Sequence, residues 1–109
     1  MITVRMFVDP DGKYRGFRAD GHAGYAEAGE DIVCAAVSAL TQNTVNAIET
    51  FTDDPVSYSV DEGFLEFSFL GEAGPDSQLL MNALALGLKS VEECSGAGNR
   101  FLRILTEEV

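Results

Sequence analysis

Two cysteines, one histidine and seven basic residues are all that the 109 positions hold of those types. Cys34 and Cys94 are too few for a disulfide framework or a zinc ribbon, which points to thiols in a reducing compartment and a cytoplasmic location. With His22 they supply at most three soft ligands in no recognised spacing, so neither a metal nor another cofactor is expected. Long apolar runs are missing too. The strongest, Leu79 to Leu88, falls far short of the roughly 20 residues that span a bilayer and is broken by Asn82 and Gly87. The first eight residues alternate apolar and polar before Asp9-Pro10-Asp11-Gly12, so no secretory signal is expected.

Positive charge is absent from Ala19 through Leu88, a stretch with twelve acids: Asp20, Glu27, Glu30, Asp31, Glu49, Asp53, Asp54, Asp61, Glu62, Glu66, Glu72 and Asp76. The net charge is -11. Such a chain repels phosphate backbones and attracts a cationic partner, which argues against direct nucleic-acid binding; no membrane partner is expected either, because no apolar run is long enough to span a bilayer. A generic acidic surface that maintains solubility accounts for the charge equally well. A composition 46% hydrophobic and 23% charged at this length describes one globular domain, residues 1–109.

Ile2, Val4, Met6 and Val8 share one side of a strand, and the Asp9-Pro10-Asp11-Gly12 turn leads to a second strand near 14–19. Residues 20–30, with three glycines and no periodicity, read as a surface loop. Asp31 is read as the N-cap of a helix over about 32–52, with a buried stripe of Val33, Val37, Leu40, Thr44, Ala47 and Phe51. Asp53-Asp54-Pro55 ends it. Val56, Tyr58 and Val60, then Leu65, Phe67 and Phe69, form a second hairpin around Asp61-Glu62-Gly63. A second helix presents Leu80, Leu84, Gly87 or Leu88, and Val91 and runs to about Cys94, and residues 100–106 form a last strand. The order ββαββαβ predicts a two-layer α+β sandwich, one sheet with two helices packed against it.

Cys34 would be the third helical position after an Asp31 cap, beside unpaired amides and the positive end of the helix dipole, a setting that favours a thiolate nucleophile. Plain burial of a small apolar side chain explains it as well. His22, in a glycine-flanked loop twelve positions earlier, is the available acid–base partner or else a solvated bystander. Asp31 either caps the helix or also orients His22. Ser38, one turn after Cys34, either meets His22 or substrate or bonds back to the carbonyl four residues earlier. Cys94, at a helix end where the dipole opposes a thiolate, is read as packing.

The run Gly21-His22-Ala23-Gly24-Tyr25-Ala26-Glu27-Ala28-Gly29-Glu30-Asp31-Ile32-Val33-Cys34-Ala35-Ala36-Val37-Ser38-Ala39-Leu40 closely resembles the signature of the ribosomal-processing cysteine protease family, Prp. The diagnostic pieces are Gly-His-Ala, a short glycine-containing loop, and Asp-Ile-Val-Cys-Ala-Ala-Val-Ser. The resemblance implies a cytoplasmic endopeptidase that removes the N-terminal extension of the twenty-seventh protein of the large ribosomal subunit. It further implies a His22/Cys34 dyad supported by Asp31 and Ser38, a homodimer, and a substrate-covering loop with Gly21, Ala23, Gly24, Tyr25 and Gly29. An acidic middle suits a basic ribosomal protein as partner. The alternative reading is a noncatalytic acidic module that binds a basic ribosomal protein, with Cys34 packed; a redox-sensing thiol is a third.

Overall fold

Alternation of apolar and polar residues over Ile2–Val8 forms β1, and the next four residues reverse the chain. The Asp9 carboxylate accepts the amides of Asp11 and Lys13 at 2.9 and 3.0 Å, which fixes that turn. Then follow β2 (Tyr14–Asp20), α1 (Glu30–Phe51), β3 (Val56–Asp61), β4 (Phe64–Phe69), α2 (Pro75–Cys94) and β5 (Leu102–Glu108). The expected ββαββαβ order is observed. This computed structural model describes residues 1–21, 30–61, 63–94 and 101–109, without the side chains of Glu30, Asp31 and Cys94.

The five strands lie in the order β3-β4-β2-β1-β5. Only β1 and β5 run parallel among these pairs; the other three are antiparallel. Ile2, Val4 and Met6 of β1, Phe17 and Ala19 of β2, Leu65 and Phe67 of β4, and Leu102 of β5 fall on one face by register and are buried. Both helices cover this face. Phe67 stacks on Phe17 with ring centroids 5.3 Å apart and meets Phe69 edge-on at 5.1 Å. Each such pair adds about 0.5–1.5 kcal/mol beyond its burial.

On α1 the buried residues are Val33, Val37, Thr41, Thr44, Val45 and Ile48. The Thr41 and Thr44 hydroxyls donate to the Val37 and Leu40 carbonyls at 2.8 Å, so their burial leaves no polar atom unpaired. Two expectations need correction. The helix starts at Glu30, not after Asp31, and Phe51, assigned to the buried stripe, is 74% exposed because α1 ends there with no sheet beneath it. Helix α2 buries Met81, Leu84 and Leu88. Its start is tied down by Asp54, whose Oδ2 accepts the Gly74 amide at 3.0 Å and the Ser77 hydroxyl at 2.5 Å.

The opposite sheet face sets charged residues among Phe7, Phe64 and Leu105. Arg5 and Arg18 stand directly across from one another, a repulsive pairing relieved by Asp20, 3.4 and 3.3 Å from them, by Glu107 3.2 Å from Arg5 and by Glu66 2.9 Å from Arg18. Hydrogen bonds to Glu66 and then to Asp20 raise the Arg18 guanidinium above its ordinary pKa. Among the described residues no helix is long and apolar enough to cross a membrane.

Candidate active site

Strand β2 ends at Asp20, and the next residue is held firmly. Gly21 donates its amide to the Gly63 carbonyl at 2.9 Å, which joins the end of β2 to the β3–β4 turn. Its φ of +99° is rarely adopted by residues with a side chain, and a Cβ there would run into the carbonyl oxygen of Met1. Gly21, expected in the covering loop, is therefore an anchor at its base. His22, Ala23, Gly24, Tyr25 and Gly29 lie outside the described residues. Glu30, expected in the loop, is the first residue of α1.

The earlier helix start changes the surroundings of Cys34. Asp31 is the second residue of α1 and not its cap, and Cys34 is the fifth residue, not the third. The i to i−4 bonding of an α-helix commits the Cys34 amide to the Glu30 carbonyl. The amides at the open end are those of Glu30, Asp31 and Ile32. The Cys34 side chain still leans toward this end, because Cβ bonds in a helix tilt toward the N-terminus. Cys34 is half-buried against the core and is not in a disulfide.

One turn further, half-buried Ser38 lines a cavity of about 140 Å³ together with Thr41 and Gln42 of α1 and Val60, Asp61, Gly63, Phe64 and Leu65 of the β3–β4 hairpin. Gly63 is the residue that holds Gly21. Gly21 is therefore held beside a cleft whose lining begins at Ser38, one helical turn after Cys34. Sequence reasoning singled out Ser38 but missed Thr41, Gln42 and the hairpin residues. Their signal was the Asp61-Glu62-Gly63 turn, visible only as a turn until β4 pairs with β2.

A cavity of about 210 Å³, lined by Gln42, Val45, Asn46, Tyr58, Val60 and Leu65, continues the cleft along α1. A larger one, about 520 Å³, lies at the other end of β2 between the β1–β2 turn and the start of α2. Among the described residues its lining, which includes Lys13, Tyr14, Gln78 and Asn82, has no cysteine, histidine or carboxylate. Among the described residues no cluster of histidine, cysteine and acidic side chains could hold a metal ion.

Known proteins share this sequence pattern and fold. The ribosomal processing cysteine protease Prp of Staphylococcus aureus is 34% identical over 95 residues, covering 85% of this chain and 90% of the relative. A crystal structure of the Staphylococcus aureus processing protease in complex with a substrate peptide superposes with a TM-score of 0.90 at 30% identity, covering 98% of this chain and all of that one. Another, with a covalently linked product peptide, gives 0.85 at 31% identity with the same coverage. The sequence profile described as cysteine protease Prp matches residues 1–97, and the chain belongs to that family of cysteine proteases.

Proposed function

We propose that this protease cuts the N-terminal extension from a basic ribosomal protein, the twenty-seventh of the large subunit, with Cys34 as nucleophile and His22 as its acid–base partner. One observation carries the reading. Cys34 sits in the opening turns of α1, half-buried, one turn from a cleft bounded by the hairpin that anchors Gly21, the residue before His22. Support also comes from relatives named as ribosomal processing proteases, one of which was solved with a covalently linked product peptide.

In this reaction the Cys34 thiol gives its proton to His22, and the sulfur attacks the scissile carbonyl carbon. The positive end of α1 favours the charge on sulfur, and the amides of Glu30, Asp31 and Ile32 are the donors available to the oxyanion. His22 returns the proton to the departing amine as the carbon–nitrogen bond breaks, which leaves a thioester. Water then attacks the thioester, giving up a proton to His22, and the carboxylate product leaves as the thiol is restored. Asp31 orients His22, and Ser38 borders the bound chain. The segment 23–29 covers the substrate, the enzyme works in the cytoplasm as a homodimer of single-domain chains, and neither nucleic acid nor membrane takes part.

The test is the intact mass of the extended ribosomal protein after incubation with the wild type or with Cys34→Ala. A single cut by the wild type alone is expected. Full cleavage by Cys34→Ala would refute the nucleophile.

A further inference from the structure

Strand β3 is an edge of the sheet, and its exposed backbone groups can be identified. The Leu70 amide donates to the Pro55 carbonyl at 2.9 Å, which makes 55 and 70 a hydrogen-bonded pair. Antiparallel ladders alternate such pairs with non-bonded ones, so Ser57, Ser59 and Asp61 bond to Ser68, Glu66 and Phe64. Val56, Tyr58 and Val60 therefore turn their amides and carbonyls away from β4, toward the open edge. The side chains of these same three residues share the helix side of the sheet with Phe69, Phe67 and Leu65. Tyr58 and Val60 remain 51% and 60% exposed while Phe67 and Leu65 are buried, because the helices do not reach over β3.

Natural sheets guard such edges with lysine, proline, bulges or inward charges. Val56-Ser57-Tyr58-Ser59-Val60 has none of these; the one charge of the strand, Asp61, lies at its end beside the turn, and Pro55 directly precedes it. The groove between this strand and α1 is continuous with the catalytic end: its two cavities share Gln42, Val60 and Leu65, and the nearer one begins at Ser38. From Cys34 to Asn46 is twelve helical residues, or about 18 Å at 1.5 Å each. About five extended residues at 3.3 Å each cover that distance. The lining of the farther cavity is uncharged throughout in an otherwise acidic stretch, so it takes apolar side chains.

We propose that β3 is the docking strand for the substrate: an extended apolar segment next to the scissile bond adds to it as a sixth strand. The segment bonds to the outward backbone groups of Tyr58 and Val60 and places alternate side chains in the groove over Val45, Tyr58, Val60 and Leu65. This inference rests on the assignment of Cys34 as the reacting end of the groove. Specificity then resides in side chains about five residues along the substrate, not only at the cut.

The test uses a fluorescent peptide spanning the cleavage junction of the ribosomal protein. Binding is measured on Cys34→Ala by anisotropy, and cleavage on the wild-type background. Val60→Asp places a charge in the groove. Tyr58→Pro removes one outward donor without touching the β4 ladder, a change that edge strands tolerate. Each should weaken binding and raise KM by about tenfold or more, while Ser57→Asn, whose side chain lies on the other sheet face, should change neither. If the peptide binds and is cut equally well by all three, docking on β3 is overturned while the cysteine assignment stands. If binding falls in the β3 variants but the wild type cuts nothing, docking stands and the protease reading of Cys34 falls. Absence of peptide binding to any form overturns the docking. A wild-type dimer that Tyr58→Pro converts to monomer, seen by sedimentation, would give the edge to a second copy and would also overturn it.

Discussion

Replacement of Gly21 by alanine separates two costs that a structure usually presents together. A side chain at φ +99° is held outside its favoured backbone regions, at about 1–3 kcal/mol. The new methyl group also meets the Met1 carbonyl and comes within 3.2 Å of Ile2 Cα. That neighbour cannot simply lift away, because Ile2 is fully buried and its strand pairs with β5 at Leu102. Forced overpacking of this kind adds about 1–3 kcal/mol. The sum, about 2–6 kcal/mol, is a large part of the roughly 5–15 kcal/mol that holds a domain folded. Gly12 is the internal comparison: its φ is +82°, but a Cβ there meets nothing within 4 Å. Gly12→Ala should cost only the conformational part, about 1–2 kcal/mol. Urea denaturation of both variants gives the difference directly if the slopes agree. Equal losses, within about 0.5 kcal/mol, would refute the claim that the N-terminus is wedged against Gly21.

Other expectations follow from the same contacts. Hydrogen bonds from Ser77 and then Gly74 hold the Asp54 carboxyl below its ordinary value of 3.8, so the unfolded chain takes up this proton before the folded one does. The resulting stabilisation is complete above the unfolded value and disappears as pH falls through the lower folded value; Asp54→Asn should flatten that acid slope in urea titrations. Phe67→Ala, which removes a fully buried ring in contact with two others, should cost about 3–5 kcal/mol by denaturation. Alkylation in mildly acidic buffer should modify Cys34 well before Cys94 and slow down in His22→Ala, as mass spectrometry of the digested protein would show.

Turn chemistry made most of the element boundaries legible. Asp9-Pro10-Asp11-Gly12 and Asp53-Asp54-Pro55 carry local conformational preferences that no tertiary contact overrides, and β1 and β3 end and begin beside them as expected. The start of α1 was less legible because Glu30 and Asp31 both suit a first turn, and the cap was read two residues late. That shift moves the Cys34 amide out of the group of open donors. The helix stripe was misread at Phe51 because periodicity does not reveal where the sheet beneath a helix ends. Sheet order was hidden for a similar reason: β2 pairs with β4 across an intervening helix and strand, and that pairing places Gly63 against Gly21 beside the Ser38 cleft. The catalytic candidates His22 and Cys34 were readable as residue types in a signature, but the groove along β3 was not.

The parallel pairing of β1 with β5 couples Ile2 to Leu102, so the second strand neighbour of β1 is made almost last. At synthesis rates of about 5–20 residues per second, the β1 edge that β5 will cover waits on the order of 5–20 seconds after its own emergence. A nascent chain of this protease therefore leaves the second edge of β1 open for most of its synthesis, until β5 covers it and becomes the edge strand of the finished sheet. Expression hosts that slow translation lengthen that exposure, so soluble yield should depend on elongation rate as well as on the stability of the finished fold.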